Sequence, residues 1–268
     1  MHPSSFGMTI YHSLEDLAAS SSLEKYLSQP KRAEPSIALE ILRTALLCAH
    51  EGGVMIREAI KNRPSSASGA ADTKVSAADL VTETDIAVEK CIRNRIERSF
   101  PDHLFVGEES SADTVTNGQR TGRYVWIVDP IDGTTNFVHA FPVVAVSIAV
   151  AFGEEAVLGV VYNPLSEELW FAWKGCGAFM KKRDGSVVPI NTSRCEEVGS
   201  GIISTGFGIP LLRRKTTQRL AQDKLLAIIE HNTRILMTRS RDIRRVGSAA
   251  CDLCLVAMGL TDCYFVCF

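Results

Sequence analysis

Two pairs of acidic residues stand directly after short apolar runs in the first half of the chain. Glu108 and Glu109 follow one run, and Asp129 and Asp132 follow another, with Pro130 stiffening the backbone between the two aspartates. A hard divalent cation such as Mg²⁺ takes oxygen ligands at about 2.0–2.1 Å, from carboxylates, backbone carbonyls and waters on rigid supports. The two acidic pairs therefore have the residue types and the setting of a magnesium site.

The sequence Gly133-Thr134-Thr135-Asn136 follows the second acidic pair and is typical of a tight turn that opens a helix. Glycine lets the backbone approach a ligand closely, and the unpaired amides at a helix start bind phosphate. Carboxylates alone would repel a phosphate, so the acids and the turn belong together only if a cation bridges them. This juxtaposition predicts metal-assisted phosphoryl chemistry.

Each of these features has a plainer explanation when it is taken alone. A Glu-Glu pair after a strand usually lies on a solvated surface, and Asp-Pro-x-Asp-Gly is more often a turn than a binding site. The prediction of a site therefore depends on the combination of the two acidic pairs with the glycine turn, and on their spacing.

The helices that must position these residues can be predicted from hydrophobic periodicity. Apolar residues recur at helical spacing over 36–62, where Ser36 is a candidate N-cap and Gly52 and Gly53 could bend the helix. A second helix is predicted to begin at Asp79 or Thr82 and to end near residue 100, so that its first turns lie close to the acidic pairs in sequence.

Short apolar runs separated by Gly, Pro, Asn and Asp predict strands after residue 100. Helical spacing returns at about 216–231 and 247–258, and the alternation of strands with helices predicts a layered α/β fold. Residues 1–34 are predicted to be a loosely ordered extension, and 35–268 to be one domain. The predicted strands are 104–106, 124–128, 143–151, 157–162, 169–172 and 202–205.

Composition and charge narrow the class of protein. Of 268 residues, 46% are hydrophobic and 22% are charged, which suits a globular protein with a sizeable core. The formal net charge is −2 and the basic residues are scattered, so no basic stripe is present for nucleic acid or an anionic membrane. The apolar run Val143–Phe152 is too short to span a bilayer. The expected partner is a small molecule, with no nucleic acid and no membrane.

Eight cysteines at irregular positions, and the lack of a signal-peptide pattern at the start, indicate reduced thiols in a cytoplasmic protein. Cys251 and Cys254 have no second pair at zinc spacing, so they are predicted to be buried small hydrophobes. The arginine-rich run 241–245 is predicted to be a solvated turn.

Several motifs occur in an order and spacing that resemble the inositol monophosphatase family over about residues 36–265. The resemblance implies a layered αβαβα sandwich of the inositol monophosphatase and fructose-1,6-bisphosphatase type. It also implies a homodimer that hydrolyses myo-inositol monophosphates with Mg²⁺ and is inhibited by lithium. The motifs are Asp79–Asp85, Gly107–Ser110, Trp126–Phe137, Val138–Pro142, Gly159–Tyr162, Gly175–Ala178 and Val246–Ala250.

The resemblance assigns metal ligands among these motifs. Glu108, Asp129 and the carbonyl of Ile131 are implied to hold a first Mg²⁺, and Asp129 and Asp132 are implied to serve a second. Lys74 is expected near the metal site, on a loop upstream of the second helix.

The resemblance also assigns catalytic and substrate-binding residues. Asp85 and Thr134 are implied to form a hydrogen-bonded pair that, with Glu108, orients and deprotonates the attacking water. The amides of Gly133 and Thr134 are implied to receive the phosphate. The further residues implied to contact the substrate are Asp132, Gly247, Ser248 and Ala249.

The sequence departs from the family pattern at its end. Family members continue past the region of Asp262–Phe265 with a glutamate and then a Trp-Asp motif, whose aspartate is a further metal ligand. Here Val266 occupies the glutamate position and Phe268 is the last residue. The chain is therefore expected to lack the last elements of the fold and to bind a second metal weakly.

Three functions stay open on the sequence alone. The first is an active inositol monophosphatase, and the second is a related phosphatase of nucleotide 3′-phosphates or sugar bisphosphates. The third is a catalytically impaired member of the family that acts as a partner of a complete paralogue. A substrate panel separates the first two, and a phosphatase assay with and without Mg²⁺ separates both from the third.

Overall fold

The computed structural model describes residues 13–63, 77–110, 120–206 and 219–266 of the chain. Contacts within the chain divide it into two compact units, Met1–Pro189 and Ile190–Phe268, whereas the sequence pattern predicted one domain over 35–268. No helix in the described ranges is long and apolar enough to cross a membrane.

The first unit is built on a mixed seven-stranded sheet, with the strands side by side in chain order from β1 to β7. β1 and β2 run parallel, and each neighbouring pair from β2 to β6 is antiparallel. The strands predicted from apolar runs are confirmed, whereas β6 and β7 escaped prediction. The strands are β1 Leu104–Gly107, β2 Tyr124–Asp132, β3 Ala145–Phe152, β4 Glu155–Asn163, β5 Glu168–Trp173, β6 Gly177–Lys181 and β7 Val187–Ile190.

Two long helices cover the central strands of this sheet. The helix that begins at Pro35 contacts β3 and β4, and the one that begins at Ala77 contacts β2. Proline at the first helical position fixes a helical φ, so the chain enters the helix at Pro35 after Glu34, and Ser36 lies inside it. The helices of this unit are α1 Leu14–Ala19, the 3₁₀ helix Ser21–Tyr26, α2 Pro35–Lys61, α3 Ala77–Ser99 and α4 Thr134–His139.

The segment before α2 differs from the expected loose extension. Ser13 and Asp16 form a reciprocal capping box at the start of α1. Leu17 and Leu23 are fully buried, and the ring of Tyr26 packs against two phenylalanines of the sheet. The prediction is corrected for residues 14–27, because their apolar side chains are anchored in the main core. Residues 1–12 lie outside the described part of the chain.

Gly52 and Gly53 allow close packing inside α2, which continues through both of them to Lys61. A Cβ atom at residue 53 would lie 2.4 Å from Cε1 of Tyr162 on β4, and one at residue 52 would lie 3.0 Å from Cγ1 of Val88. Glycine at these positions therefore lets the buried ring of Tyr162 lie directly against the backbone of α2.

We expect Gly53→Ala to destabilise the protein by about 1–2 kcal/mol. Overpacking costs about 1–3 kcal/mol, and a Cβ only 2.4 Å from a rigid ring places this substitution at about 2–3 kcal/mol. This outweighs the roughly 1 kcal/mol that alanine gains in helix propensity. Gly159→Ala is the control, because a Cβ at residue 159 on β4 would meet no atom within 4 Å. Urea unfolding of the three proteins measures the effect. Equal midpoints for Gly53→Ala and the wild type would contradict the packing explanation.

His103 lies among aromatic rings just before β1. Its Nδ1 accepts a hydrogen bond from Nε1 of Trp126 at 3.0 Å, and its ring stacks on Phe100 with 4.5 Å between centroids. Burial lowers the pKa of His103 to about 4; Arg123 adds to this effect and Asp102 opposes it. The neutral imidazole is therefore the form that packs.

This lowered pKa predicts a loss of stability in acid. The unfolded chain binds a proton at His103 near pH 6.5 and the folded chain only near pH 4, so this contribution is complete above pH 6.5 and declines toward pH 4. With a discount for partial exposure, we expect a loss of about 1 kcal/mol relative to a His103→Gln variant, which cannot titrate. Urea unfolding of both proteins at several pH values measures it. A difference in unfolding free energy that stays constant with pH would contradict it.

The second unit contains a parallel three-stranded sheet in the order β10-β8-β9. The predicted strand at 202–205 and the two predicted helices are confirmed, although the first of these helices is described only from Arg219. The run 241–245, predicted to be a solvated turn, includes a strand because residues 242–244 pair with β8. The elements are the 3₁₀ helix Val198–Ser200, β8 Ile202–Gly206, α5 Arg219–Arg239, β9 Asp242–Arg244, α6 Ala249–Ala257 and β10 Cys263–Val266.

Candidate active site

The two acidic pairs predicted from the sequence leave the sheet at the same edge. β1 and β2 are parallel neighbours, and their register pairs Gly107 with Val128. The next residues along the two strands are Glu108 and Asp129, so these carboxylates emerge side by side. Parallel pairing is the reason that two motifs 20 residues apart meet at one place.

A bulge in β2 shapes the second acidic pair. Pairing with β3 is regular up to Asp129 opposite Ser147, and it resumes with Asp132 opposite Ala145. Pro130 has no N–H to donate to the ladder, and the Ile131 N–H donates to Oδ1 of Asp129 at 3.1 Å. The bulge therefore turns the carboxylate of Asp129 back over its own backbone.

Helix α3 adds two buried carboxylates, Asp85 and Glu89, which are 6% and 4% exposed and lie one turn apart. Glu89 accepts the backbone N–H of Glu109 at 2.8 Å, and so holds the chain just after β1. A Cβ atom at residue 107 would lie 2.3 Å from the carboxyl carbon of Glu89, so a larger residue at Gly107 would displace the Glu89 carboxylate.

Glu89 is a site residue that the sequence analysis missed. The available signal was its position four residues after Asp85, on the face of α3 that also buries Val88 and Ile92. A carboxylate on a buried helix face is rarely retained without a partner or a charge-related role.

The carboxylates lie close enough to change one another's protonation. Burial first, and then the negative charges of Glu109, Glu108 and Glu89, together raise the pKa of Asp85 to about 7. The pKa of Glu109 is also raised, by partial burial first and then by Glu108 and Glu89. The cluster therefore carries mutual repulsion that a cation would offset.

Asp129 has the largest described shift in this cluster. Burial, the neighbouring charges of Asp132, Glu108 and Asp85, and a hydrogen bond to Glu108 together raise its pKa to about 8, and burial contributes most. All the charges that shift it are negative. Asp129 is therefore the carboxylate whose ionised form most needs positive charge beside it.

The donor atoms fit a hard divalent cation by their chemistry. Within residues 13–63, 77–110, 120–206 and 219–266, no three or more His, Cys, Asp or Glu side chains are arranged as a finished metal site. The oxygen donors are nevertheless those that Mg²⁺ prefers, and Oδ1 of Asp85 is buried without a hydrogen-bond partner. A cation here would satisfy that oxygen and relieve the repulsion between carboxylates.

Thr134 makes a different contact from the one that the family resemblance implied. Its hydroxyl donates to the carbonyl oxygen of Ile131 at 3.3 Å, and Oδ1 of Asp85 has no hydrogen-bond partner. The implied role of Asp85 and Thr134 as a pair at the attacking water stays a prediction. The contact links Thr134 to the carbonyl implied as a metal ligand.

The glycine turn opens a helix as predicted. Gly133 has φ of 92° and ψ of 39°, a left-handed conformation that costs glycine little, and it precedes α4 without a side-chain cap. Thr134 is the first residue of α4 and is exposed. The backbone amides at this helix start are therefore placed close in sequence to Asp132, as a phosphate-binding role requires.

The remaining predicted site residues are not brought to this cluster by the described contacts. Gly247, Ser248 and Ala249 lie at the start of α6 in the second unit, where the buried Ser248 hydroxyl accepts the N–H of Cys251 at 3.2 Å. Their part in substrate binding stays a prediction. Lys74 falls outside the described residues.

The amino-acid sequence is similar to that of a known protein family. The model of the inositol monophosphatase family matches residues 39–266. Inositol monophosphatase 1 of Rattus norvegicus is 37% identical over 229 residues, which are 84% of this chain and 74% of the rat protein. Inositol monophosphatase 2 of Solanum lycopersicum is 41% identical over 190 residues, 70% of this chain and 65% of the tomato protein.

Solved structures share the fold. Inositol monophosphatase II of Staphylococcus aureus MSSA476 superposes with a TM-score of 0.64 at 27% identity, over 84% of this chain and 74% of that one. The extragenic suppressor protein suhB of Bartonella henselae superposes with a TM-score of 0.63 at 29% sequence identity, over 84% of this chain and 76% of that one. Two further structures show the staphylococcal enzyme, SaIMPase-II, bound to inositol monophosphate and to 2′AMP.

These structures confirm the predicted layered α/β fold, and the acidic cluster lies within the stretch that the family model matches. Proteins of this family are phosphatases of small phosphate monoesters. The chain belongs to the inositol monophosphatase family.

Proposed function

We propose that this chain hydrolyses myo-inositol monophosphate to inositol and phosphate in a Mg²⁺-dependent reaction. The observation that carries the proposal is the cluster of carboxylates in which burial and neighbouring negative charges raise the pKa values of Asp85 and Asp129. The helix start at Gly133 follows this cluster directly in the sequence. Carboxylates in such a group repel a phosphate dianion unless a cation lies between them. The family membership and the inositol monophosphate bound to the staphylococcal structure support the choice of substrate.

In this proposal each carboxylate has a separate task. Glu108, Asp129 and the Ile131 carbonyl hold one Mg²⁺, and Asp129 with Asp132 serves a second. Mg²⁺, when bound, offsets the charge of the phosphate and lowers the pKa of a coordinated water. Glu89 keeps the chain after β1 in place through the Glu109 amide.

The helix start completes the site. The amides of Gly133 and Thr134 receive the phosphate. Asp85 and the Thr134 hydroxyl are proposed to orient the attacking water together with Glu108, whose carboxylate accepts the proton. Asp85 lies in the same acidic cluster, where burial and the charges of Glu109, Glu108 and Glu89 raise its pKa. Gly247, Ser248 and Ala249 are proposed to contact the alcohol portion of the substrate.

Metal dependence tests the proposal. Hydrolysis of myo-inositol 1-phosphate by the purified chain is expected to vanish in excess chelator and to return when Mg²⁺ is restored, because the carboxylates then repel the phosphate. Circular dichroism in chelator is the control that the fold survives. Undiminished hydrolysis in excess chelator would rule out the mechanism.

A substrate panel decides between the open functions. The 2′AMP bound to SaIMPase-II favours nucleotide monophosphates as a second substrate class. We therefore compare kcat/KM for myo-inositol 1-phosphate, 2′-AMP, 3′-AMP and fructose 1,6-bisphosphate. A preference for a nucleotide or for the sugar bisphosphate would replace the proposed substrate. No turnover of any of them at saturating Mg²⁺ would favour a non-catalytic partner of a paralogue.

Three further expectations accompany the proposed activity. The family resemblance implies a homodimer and inhibition by lithium, and the eight irregularly spaced cysteines favour a cytoplasmic location. Sedimentation equilibrium measures the first of these, and a lithium titration of the hydrolysis assay measures the second.

A further inference from the structure

Arg63, just after the end of α2, contacts the far end of the short helix α4. Its Nη1 donates to the carbonyl oxygen of Phe137 at 3.2 Å, and its Nη2 donates to the carbonyl oxygen of Val138. The last carbonyls of a helix have no partner within it, so a guanidinium with two parallel donors suits them. Its positive charge is also favourable at the negative end of the helix dipole.

Helix α4 has little stability of its own. It has six residues, whereas an isolated helix shorter than about 12–15 residues is marginal in water. It begins at Gly133 without a side-chain cap, and it ends at Ala140 with φ of 51°, a left-handed conformation that alanine disfavours. Its position therefore depends on tertiary contacts.

Three of the described contacts hold different parts of α4, which also packs against α3. The ring of Phe137 is 1% exposed in the core, and the side-chain amide of Asn136 donates to the carbonyl of Val143 at 2.7 Å. Arg63 is the contact at the C-terminal end. At about 1.5 Å per residue the helix is roughly 9 Å long, so a shift at one end is carried to the other.

We propose that Arg63 is a positioning residue for the candidate active site. By clamping the C-terminal end of α4 it fixes where the other end places the Thr134 hydroxyl and the amide of Gly133. The catalytic consequence rests on the proposed function, whereas the clamp itself is a property of the fold and can be measured without any activity.

Two variants of Arg63 and one matched control test the clamp. Arg63→Met keeps the length of the apolar stem and removes the donors, and Arg63→Lys restores a charge with a single nitrogen. Arg57→Met is the control, because Arg57 lies on α2 six residues before Arg63. It also makes two hydrogen bonds, to the Tyr162 hydroxyl at 3.0 Å and the Pro164 carbonyl at 3.3 Å.

The first readout is hydrogen exchange of the amides of Phe137, Ala140 and Phe141, which donate within and just after α4. We expect exchange at least about 10-fold faster in Arg63→Met, an intermediate rate in Arg63→Lys and no change in the Arg57 control. Unchanged exchange in Arg63→Met would overturn the proposal, whatever the protein hydrolyses.

The second readout is the split between kcat and KM at saturating Mg²⁺. A displaced Thr134 is expected to lower kcat by about 10–10²-fold in Arg63→Met, with partial recovery in Arg63→Lys and a wild-type value in the control. Faster exchange with unchanged kcat would overturn the positioning role. If the wild type hydrolyses no substrate of the panel, the proposed function fails, and the positioning role fails with it. The exchange data still show whether Arg63 stabilises the C-terminal end of α4.

Discussion

Asp129→Asn is expected to lower kcat by at least about 10³-fold, which corresponds to about 4 kcal/mol of transition-state stabilisation. Asp129 is the carboxylate assigned to both cations, and it emerges beside Glu108 at the shared edge of β1 and β2. Asparagine keeps the shape of the side chain, and its Oδ1 can still accept the Ile131 N–H, but it brings no charge to a cation.

The fold of this variant is expected to remain intact. A carboxyl group whose pKa rises to about 8 on folding opposes folding at every pH above its unfolded value, so a neutral amide removes that cost. In chelator, Asp129→Asn should therefore unfold at the same or a higher urea concentration than the wild type. A variant that is folded and inactive separates the loss of charge from the loss of structure.

Asp102→Asn serves as the matched control for charge. Asp102 is exposed on the turn before β1, and only its backbone carbonyl takes part in a described contact with Arg123. Its variant should keep wild-type turnover and wild-type Mg²⁺ dependence. An Asp129→Asn protein as active as Asp102→Asn would overturn the assignment of Asp129 as a ligand.

Thr134→Ala is expected to lower kcat by about 10²–10⁴-fold while KM changes little. The assigned task of the hydroxyl is to position the attacking water, whereas the phosphate is assigned to the backbone amide, which survives the substitution. Thr135→Ala is the control, since Thr135 is the next residue of α4 and is equally exposed. Thr134→Ser keeps the hydroxyl and should recover most of the activity.

The hydrogen bond from Thr134 to the Ile131 carbonyl suggests a second possible role for this hydroxyl. If the hydroxyl serves only to orient that carbonyl as a metal ligand, Thr134→Ala would weaken the apparent affinity for Mg²⁺ and leave kcat at saturating Mg²⁺ unchanged. A Mg²⁺ titration of each variant distinguishes the two roles. An effect confined to KM for the phosphate substrate would contradict both.

Local patterns determine much of what the sequence alone predicts here. The periodicity of apolar residues in α2 and α3, and the apolar runs of β1 to β5, mark their elements because one face of each must be buried whatever the rest of the chain does. The motif from Trp126 to Phe137 carries its bulge and its glycine turn in its own residues. The acidic pairs and the family could therefore be predicted without a structure.

Short elements were beyond such prediction. β9 and β10 have three and four residues, and both exist because each pairs with β8. The charged run 241–245 has no intrinsic preference for a strand, so it forms one only because it pairs with the neighbouring strand β8. In the same way, residues 14–27 have a brief apolar pattern, and it is the surface of the main core that gives them a place to pack.

Tertiary structure alone decided the finer contacts of the candidate site. Glu89 joins the cluster because α3 lies beside the end of β1, and Gly107 leaves the space for its carboxylate. The hydroxyl of Thr134 donates to the Ile131 carbonyl, and Arg63 contacts a helix more than 70 residues further along the chain. Residues distant in sequence leave no local pattern for such contacts, because their distances and angles are set by how helices and strands pack.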